Sequence, residues 1–175
     1  MLVTSKEMFK KAQEGHYAVP SANVLDMESI KNHISLAEKL GLPLIVGIAE
    51  SHLGDNISLE DTALVGRKYA EEASVPVVLH LDHGESFETC KKAIDLGFTS
   101  VMIDASMKSF DENVATTSKV VEYAHARGVT VEAEIGHVAS NFDENDTETM
   151  YTTAEEASEF AAKSGLVTIS RRQVL

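Results

Sequence analysis

Apolar positions along the chain fall into short runs separated by longer segments with a different period. Runs rich in Val, Ile and Leu recur as YAVPSANV (17–24), PLIVGIA (43–49) and PVVLHLD (76–82). They continue as TSVMIDA (99–105), VTVEAEIG (129–136) and LVTIS (166–170), and each has the length of a buried strand. The segments between them carry helical spacing. In SFETCKKAIDLGF, Phe87, Cys90 and Ile94 fall at i, i+3 and i+7 and form one stripe. Val114, Val121 and Ala124 form another in NVATTSKVVEYAHARG.

The punctuation agrees with this division. Thr153 and Glu156 have the spacing of a capping box, and Ser58 with Asp61 is a weaker version. Gly15, Gly41, Gly97, Gly128 and Gly165 each follow a helical segment and precede a strand, where a residue of positive φ is often needed. Strand and helix therefore alternate five times before a sixth strand.

Such alternation predicts a parallel sheet with right-handed crossovers. An open doubly wound sheet and an eight-stranded barrel compete. The open sheet suits 175 residues, but the position of its glycine-rich phosphate loop reads PSANVLD. A barrel usually takes ~250 residues. Polar residues nevertheless cluster at the carboxyl ends of nearly every strand: Asn23; Glu50, Ser51 and His52; Asp82 and His83; Asp104 and Ser106; Glu132 and Glu134. An open sheet gathers such residues at one switch point, whereas a barrel gathers them around one rim. The fold expectation is α/β, a TIM (β/α)8-barrel lineage truncated after about five and a half units.

Composition narrows the partners. A net charge of −13 opposes phosphate backbones and anionic lipid, and Arg171–Arg172 is too small a basic patch to reverse that. No nucleic-acid or membrane partner is expected. No window approaches the ~18 apolar residues of a membrane span, and the N-terminal stretch lacks a signal-peptide core, so a soluble cytoplasmic protein is expected. Cys90 is the single cysteine, which removes an intrachain disulfide and any cysteine-based metal cluster. Its place in a helical apolar stripe makes it a core residue.

The candidate chemistry lies at the strand ends. Imidazole is a common zinc ligand, and the carboxylate beside it can serve as acid or base, which gives His83 and Asp82 one reading. A capping Asp and a rim His satisfied by backbone is the other. His80 shares the strand face of Asp82 and reads as a hydrogen-bonded packing residue. Glu132 and Glu134 share a face opposite Val131, Ala133 and Ile135, where they repel unless a cation or donor lies between them. A half-exposed strand would tolerate both. Asp104 ends a strand well before the next helix, which begins near Ser109, so it reads as a rim residue rather than an N-cap. His52 and His137 read as exposed loop residues, and His16, His33 and His125 as structural. The acidic loop 141–149 reads as a solvated connection.

VPVVLHLDHG, VMIDAS and VEAEIG, each closing its own strand, strongly resemble the zinc-dependent class II aldolases, the fructose- and tagatose-bisphosphate aldolases. The likeness runs from VPSANVLDMESI through YTTAEEASEFAAKSG, about residues 1–165, with 166–175 an atypical tail. It implies a barrel enzyme that cleaves a ketose 1,6-bisphosphate to dihydroxyacetone phosphate and an aldehyde. By resemblance, Asp82 is the catalytic acid/base, and His83, Asp104 and Glu134 belong to the metal site, with zinc as cofactor. Asn23 and Ser51 then lie on the substrate side.

The resemblance also implies departures. The family's other two zinc histidines follow later strands that this chain does not contain, so the zinc site is expected to be partial. The position where many members carry a serine that contacts substrate is Ala49, with Ser51 nearby. The family's loop glutamate has only Asp143 and Glu144 as neighbouring candidates. A truncated gene, little or no aldolase activity, and a homo-oligomer that covers unpaired sheet edges are expected. A non-catalytic half-barrel that binds sugar phosphate or an intact aldolase subunit is the alternative.

Overall fold

In the computed structural model, residues 1–54, 56–136 and 152–166 are described, together with the backbone of 168–170. His137, Asp143, Glu144, Arg171 and Arg172 lie outside the described residues. Among the described residues six strands are present: β1 (Ser21–Asn23), β2 (Leu44–Ala49), β3 (Val77–Gly84), β4 (Ser100–Ile103), β5 (Thr130–Glu134) and β6 (Thr168–Ser170). A first helix, α1 (Ser5–Gly15), precedes β1. The connecting helices are α2 (Met27–Leu40), α3 (Leu59–Glu72), α4 (Phe87–Leu96), α5 (Phe110–His125) and α6 (Ala154–Ser164).

All strands pair in parallel, in the order β1-β2-β3-β4-β5-β6. This order decides between the two architectures. A doubly wound sheet reverses direction at a switch point, whereas right-handed crossovers in unbroken order put every connecting helix on one face. The unbroken order is that of a barrel wall.

The period of two along each strand separates the faces. Leu44, Val46, Ile48, Val77, Leu79, Leu81, Val101, Ile103, Val131 and Ala133 all join the large core shared with the helices. The intervening residues line the other face. Low down these are Ile45 and Val78, packed against Met8 of α1. Higher up, the same face turns polar. Phe98 and Phe160 are among the largest fully buried side chains on the helical side.

The helix ends follow the sequence with one correction. Thr153–Glu156 forms a full capping box, as do Asp26–Ser29 and Ser109–Glu112. Gly15 is instead the last residue of α1, and His16 takes the left-handed position with φ 52°. Histidine is among the residues that tolerate this region better than most side chains do.

Candidate active site

The upper half of β3 builds the site. Val78, His80 and Asp82 alternate onto the inner face, and regular alternation would send His83 to the helical side. It does not go there, because His83 adopts a left-handed φ of 46° and the register with β4 shifts between Leu81 and Gly84. Asp82 and His83 therefore serve the same rim although they are consecutive. The turn falls on His83 and not on Gly84, although glycine is the residue that adopts positive φ most freely. Gly84 is required for space: a Cβ there would lie 2.7 Å from the Met102 carbonyl oxygen and 2.9 Å from Cys90 Sγ.

Three neighbouring strands then converge. His83 Nδ1 donates to Asp104 Oδ2 at 2.7 Å, just beyond β4, and lies 4.0 Å from Glu134 Oε2 at the end of β5. Asp82 Oδ1 is 4.0 Å from His83 Nε2. Asp104 is fixed in turn, since its Oδ1 accepts from Ser106 Oγ at 2.7 Å and from the Ser106 amide at 3.1 Å. The buried Asn113 of α5 donates to the Glu134 carbonyl at 2.8 Å and steadies the end of β5.

The charges respond to this arrangement. Burial alone would lower the pKa of His83, but the Asp104 hydrogen bond and the charges of Asp82, Asp104 and Glu134 outweigh it and hold it above its ordinary value. Burial would raise Asp104, and hydrogen bonds from Ser106 and His83 outweigh that and lower it. The rim thus favours a cation among its carboxylates.

One imidazole nitrogen and two carboxylate oxygens, from His83, Asp104 and Glu134, all lie within 4.8 Å of one another. Ligand atoms of one tetrahedral ion stand about 3.4 Å apart when each is ~2.1 Å from it. The observed separations of 2.7 and 4.0 Å from His83 Nδ1 bracket that value. The donor set would therefore suit a divalent cation.

Below the rim sits His80, buried, with Nδ1 2.9 Å from Ser100 Oγ and Nε2 3.9 Å from Glu132 Oε2. Burial pushes its pKa down to about 4, so the ring is neutral at neutral pH. It serves as the packing residue that its strand face suggests. Ser100, its register partner, went unremarked in the sequence and becomes readable only once β3 and β4 are known to be neighbours.

The remaining candidates are more peripheral. Asn23 is exposed at the end of β1, and its Oδ1 lies over Gly47, 3.0 Å from where a Cβ would stand. Ser51 and His52 are exposed in a short 3-10 turn, Glu50–His52, after β2. The structure brings Asp82, His83, Asp104 and Glu134 together and does not join Asn23 or Ser51 to them by a hydrogen bond. Cys90 is buried, and burial raises its thiol to about 12, which removes it as a nucleophile.

Comparison with known proteins places the chain in a family. The family model for class-II fructose-bisphosphate aldolase matches residues 3–170. A fructose-bisphosphate aldolase of Geobacillus stearothermophilus is 44% identical over 168 residues, 94% of this chain and 58% of that protein. One of Staphylococcus aureus (strain Mu50 / ATCC 700699) is 42% identical over 94% of this chain and 59% of its own length. The chain thus spans less than two thirds of these relatives. Among solved structures, the YdjI aldolase of Escherichia coli K12 superposes with a TM-score of 0.84 at 32% identity, covering 97% of this chain and 59% of its own. A putative fructose-1,6-biphosphate aldolase of Coccidioides immitis gives 0.82, also at 32% identity, over 96% of this chain and 60% of its own. The fold is that of the aldolase barrels, here in part, and the chain belongs to the class-II fructose-bisphosphate aldolase family.

Proposed function

We propose that this rim is the N-terminal part of a metal-dependent aldolase site, acting on a ketose 1,6-bisphosphate of the fructose or tagatose type. The products are dihydroxyacetone phosphate and an aldehyde. The observation that supports this is the left-handed turn at His83, which puts the Asp82 carboxylate and the His83 imidazole on one rim from consecutive positions. A turn of this kind in a non-glycine residue is a strained feature of the sort found at functional sites.

His83, Asp104 and Glu134 would hold the ion, and zinc bound there would supply Lewis-acid polarisation of the substrate ketone. Asp82 takes the proton from the C4 hydroxyl in cleavage and returns it to the aldehyde oxygen in condensation. His80 Nε2 lies 4.0 Å from Asp82 Oδ1, below the rim. Asn23 and Ser51 face the substrate from β1 and the turn after β2.

A second reading has its own observation. Among the described residues, β1 and β6 each pair with one neighbour, and α2 exposes Leu36 and Leu40. A half-barrel that docks with another polypeptide, a second copy or an intact aldolase subunit, would cover these surfaces. Both readings are consistent with a cytoplasmic protein, and no helix among the described residues is long and apolar enough to cross a membrane.

One preparation tests them. The purified chain is assayed for zinc content, for native mass and for cleavage of fructose 1,6-bisphosphate with and without a chelator. The expected result is weak zinc binding lost in Asp104→Asn, an assembly larger than a monomer, and little or no cleavage. Robust chelator-sensitive cleavage would overturn the expected inactivity. Absence of zinc uptake at millimolar metal would overturn the metal reading, and a cooperative monomer would overturn the docking reading.

A further inference from the structure

We propose that Glu50 is a positioning residue for the rim: from the end of β2 its carboxylate clamps the first turn of α4 and thereby fixes the left-handed turn at His83. The inference rests on the reading of His83 as a metal ligand. Both carboxylate oxygens of the half-buried Glu50 are engaged across elements. Its Oε2 accepts from the Glu85 amide at 2.6 Å, and its Oε1 accepts from Thr89 Oγ1 at 2.8 Å. Glu85 is two residues beyond His83, and Thr89 lies in the first turn of α4, its amide donating to the N-cap Ser86 Oγ at 3.1 Å.

The segment after His83 is thus held from both sides. On the β4 side the Asp104 amide donates to the Gly84 carbonyl at 2.8 Å. On the β2 side the hold comes through Glu50. A left-handed histidine persists only where its surroundings over-determine it. Asp104 supplies one constraint and is itself a ligand candidate; Glu50 supplies the opposing one without touching the ligand set. Its negative charge also suits the amino end of α4, where backbone amides point outward.

The test uses Glu50→Ala, Glu50→Gln and Thr89→Val in the full chain. Co²⁺ titration followed by absorption reads the ligand set. Exchange of the His83 Nδ1 proton, protected by Asp104, reads the turn without metal. A denaturation midpoint reads overall stability. Glu50→Ala is expected to weaken Co²⁺ binding about tenfold or more, as loss of supporting partners around ligands does, and to speed His83 proton exchange by a similar factor. Glu50→Gln is expected to fall between, because its amide oxygen still accepts one bond. Unchanged Co²⁺ affinity and His83 exchange in Glu50→Ala would overturn the proposal, as would a lowered midpoint with both unchanged. If Glu50→Ala does not fold, Glu50→Gln and Thr89→Val decide by the same readouts. If the wild-type chain takes up no Co²⁺, the metal reading fails by itself, and His83 exchange alone decides the role of Glu50.

Discussion

Substitution of Gly84 by alanine tests the account of the β3 turn. An added Cβ would stand 2.7 Å from the Met102 carbonyl oxygen, 2.9 Å from Cys90 Sγ and 3.0 Å from Leu81 Cδ2. All three neighbours are 2% exposed or less, so none can swing aside into solvent. Nor can the strand slide, because the Gly84 carbonyl is tied to the Asp104 amide and the residue pairs with Ile103. Overpacking of this kind costs ~1–3 kcal/mol, and contact with a backbone carbonyl puts Gly84→Ala near ~3 kcal/mol on that scale. Urea unfolding followed by circular dichroism should show a lower midpoint with an unchanged slope. Gly41→Ala is the contrast: nothing lies within 4 Å of its Cβ position, and its cost comes from a φ of 65°, worth ~1–2 kcal/mol. Combining Gly84→Ala with Cys90→Ala removes the sulfur contact and leaves the carbonyl, so no more than part of the loss should return. A Gly84→Ala midpoint equal to wild type would refute the packing argument. Full rescue by Cys90→Ala would show that the thiol, not the carbonyl, sets the limit.

Two further outcomes follow from local chemistry. His80 has a folded pKa of about 4, below its ordinary 6.5, so its burial contributes stability that is complete above pH ~6.5 and lost as pH falls toward 4. The loss is on the order of 3 kcal/mol and should flatten in His80→Gln when stability is measured between pH 7 and 4; an equal slope in the variant would exclude His80 as the source. Thr153→Ala removes the side chain that caps α6 and accepts from the Glu156 amide at 3.1 Å. It should cost ~1 kcal/mol in denaturant titration, while Thr153→Ser should match wild type; equal loss in both would mean that the hydroxyl is not the source.

Strand order and facing were legible because they are periodic. Val77, Leu79 and Leu81 against Val78, His80 and Asp82 assign the two faces of β3 without coordinates. The pair Glu132 and Glu134 reads the same way on β5. What was not legible is which residue departs from the period. Glycine draws the expectation of a turn because it adopts positive φ freely, yet here Gly84 serves close packing and His83 carries the turn. The choice is made by Met102 and Cys90, which arrive from another strand and another helix. Glu50 was hidden for a related reason. Its partners, Glu85 and Thr89, lie 35 and 39 residues away, and no spacing rule links the end of β2 to the start of α4, beyond α3 and β3.

The charge of the rim explains why those constraints are needed together. Strands in a sheet stand about 4.8 Å apart, so residues at matching heights on β3, β4 and β5 approach ligand distance once their side chains point the same way. Asp82, Asp104 and Glu134 then repel unless something positive lies among them. Among the described residues, His83 supplies such a charge when protonated, and the carboxylates around it hold its proton more tightly than usual. The left-handed turn thus places an imidazole among the carboxylates, a position that regular β3 geometry would have assigned to the helical core.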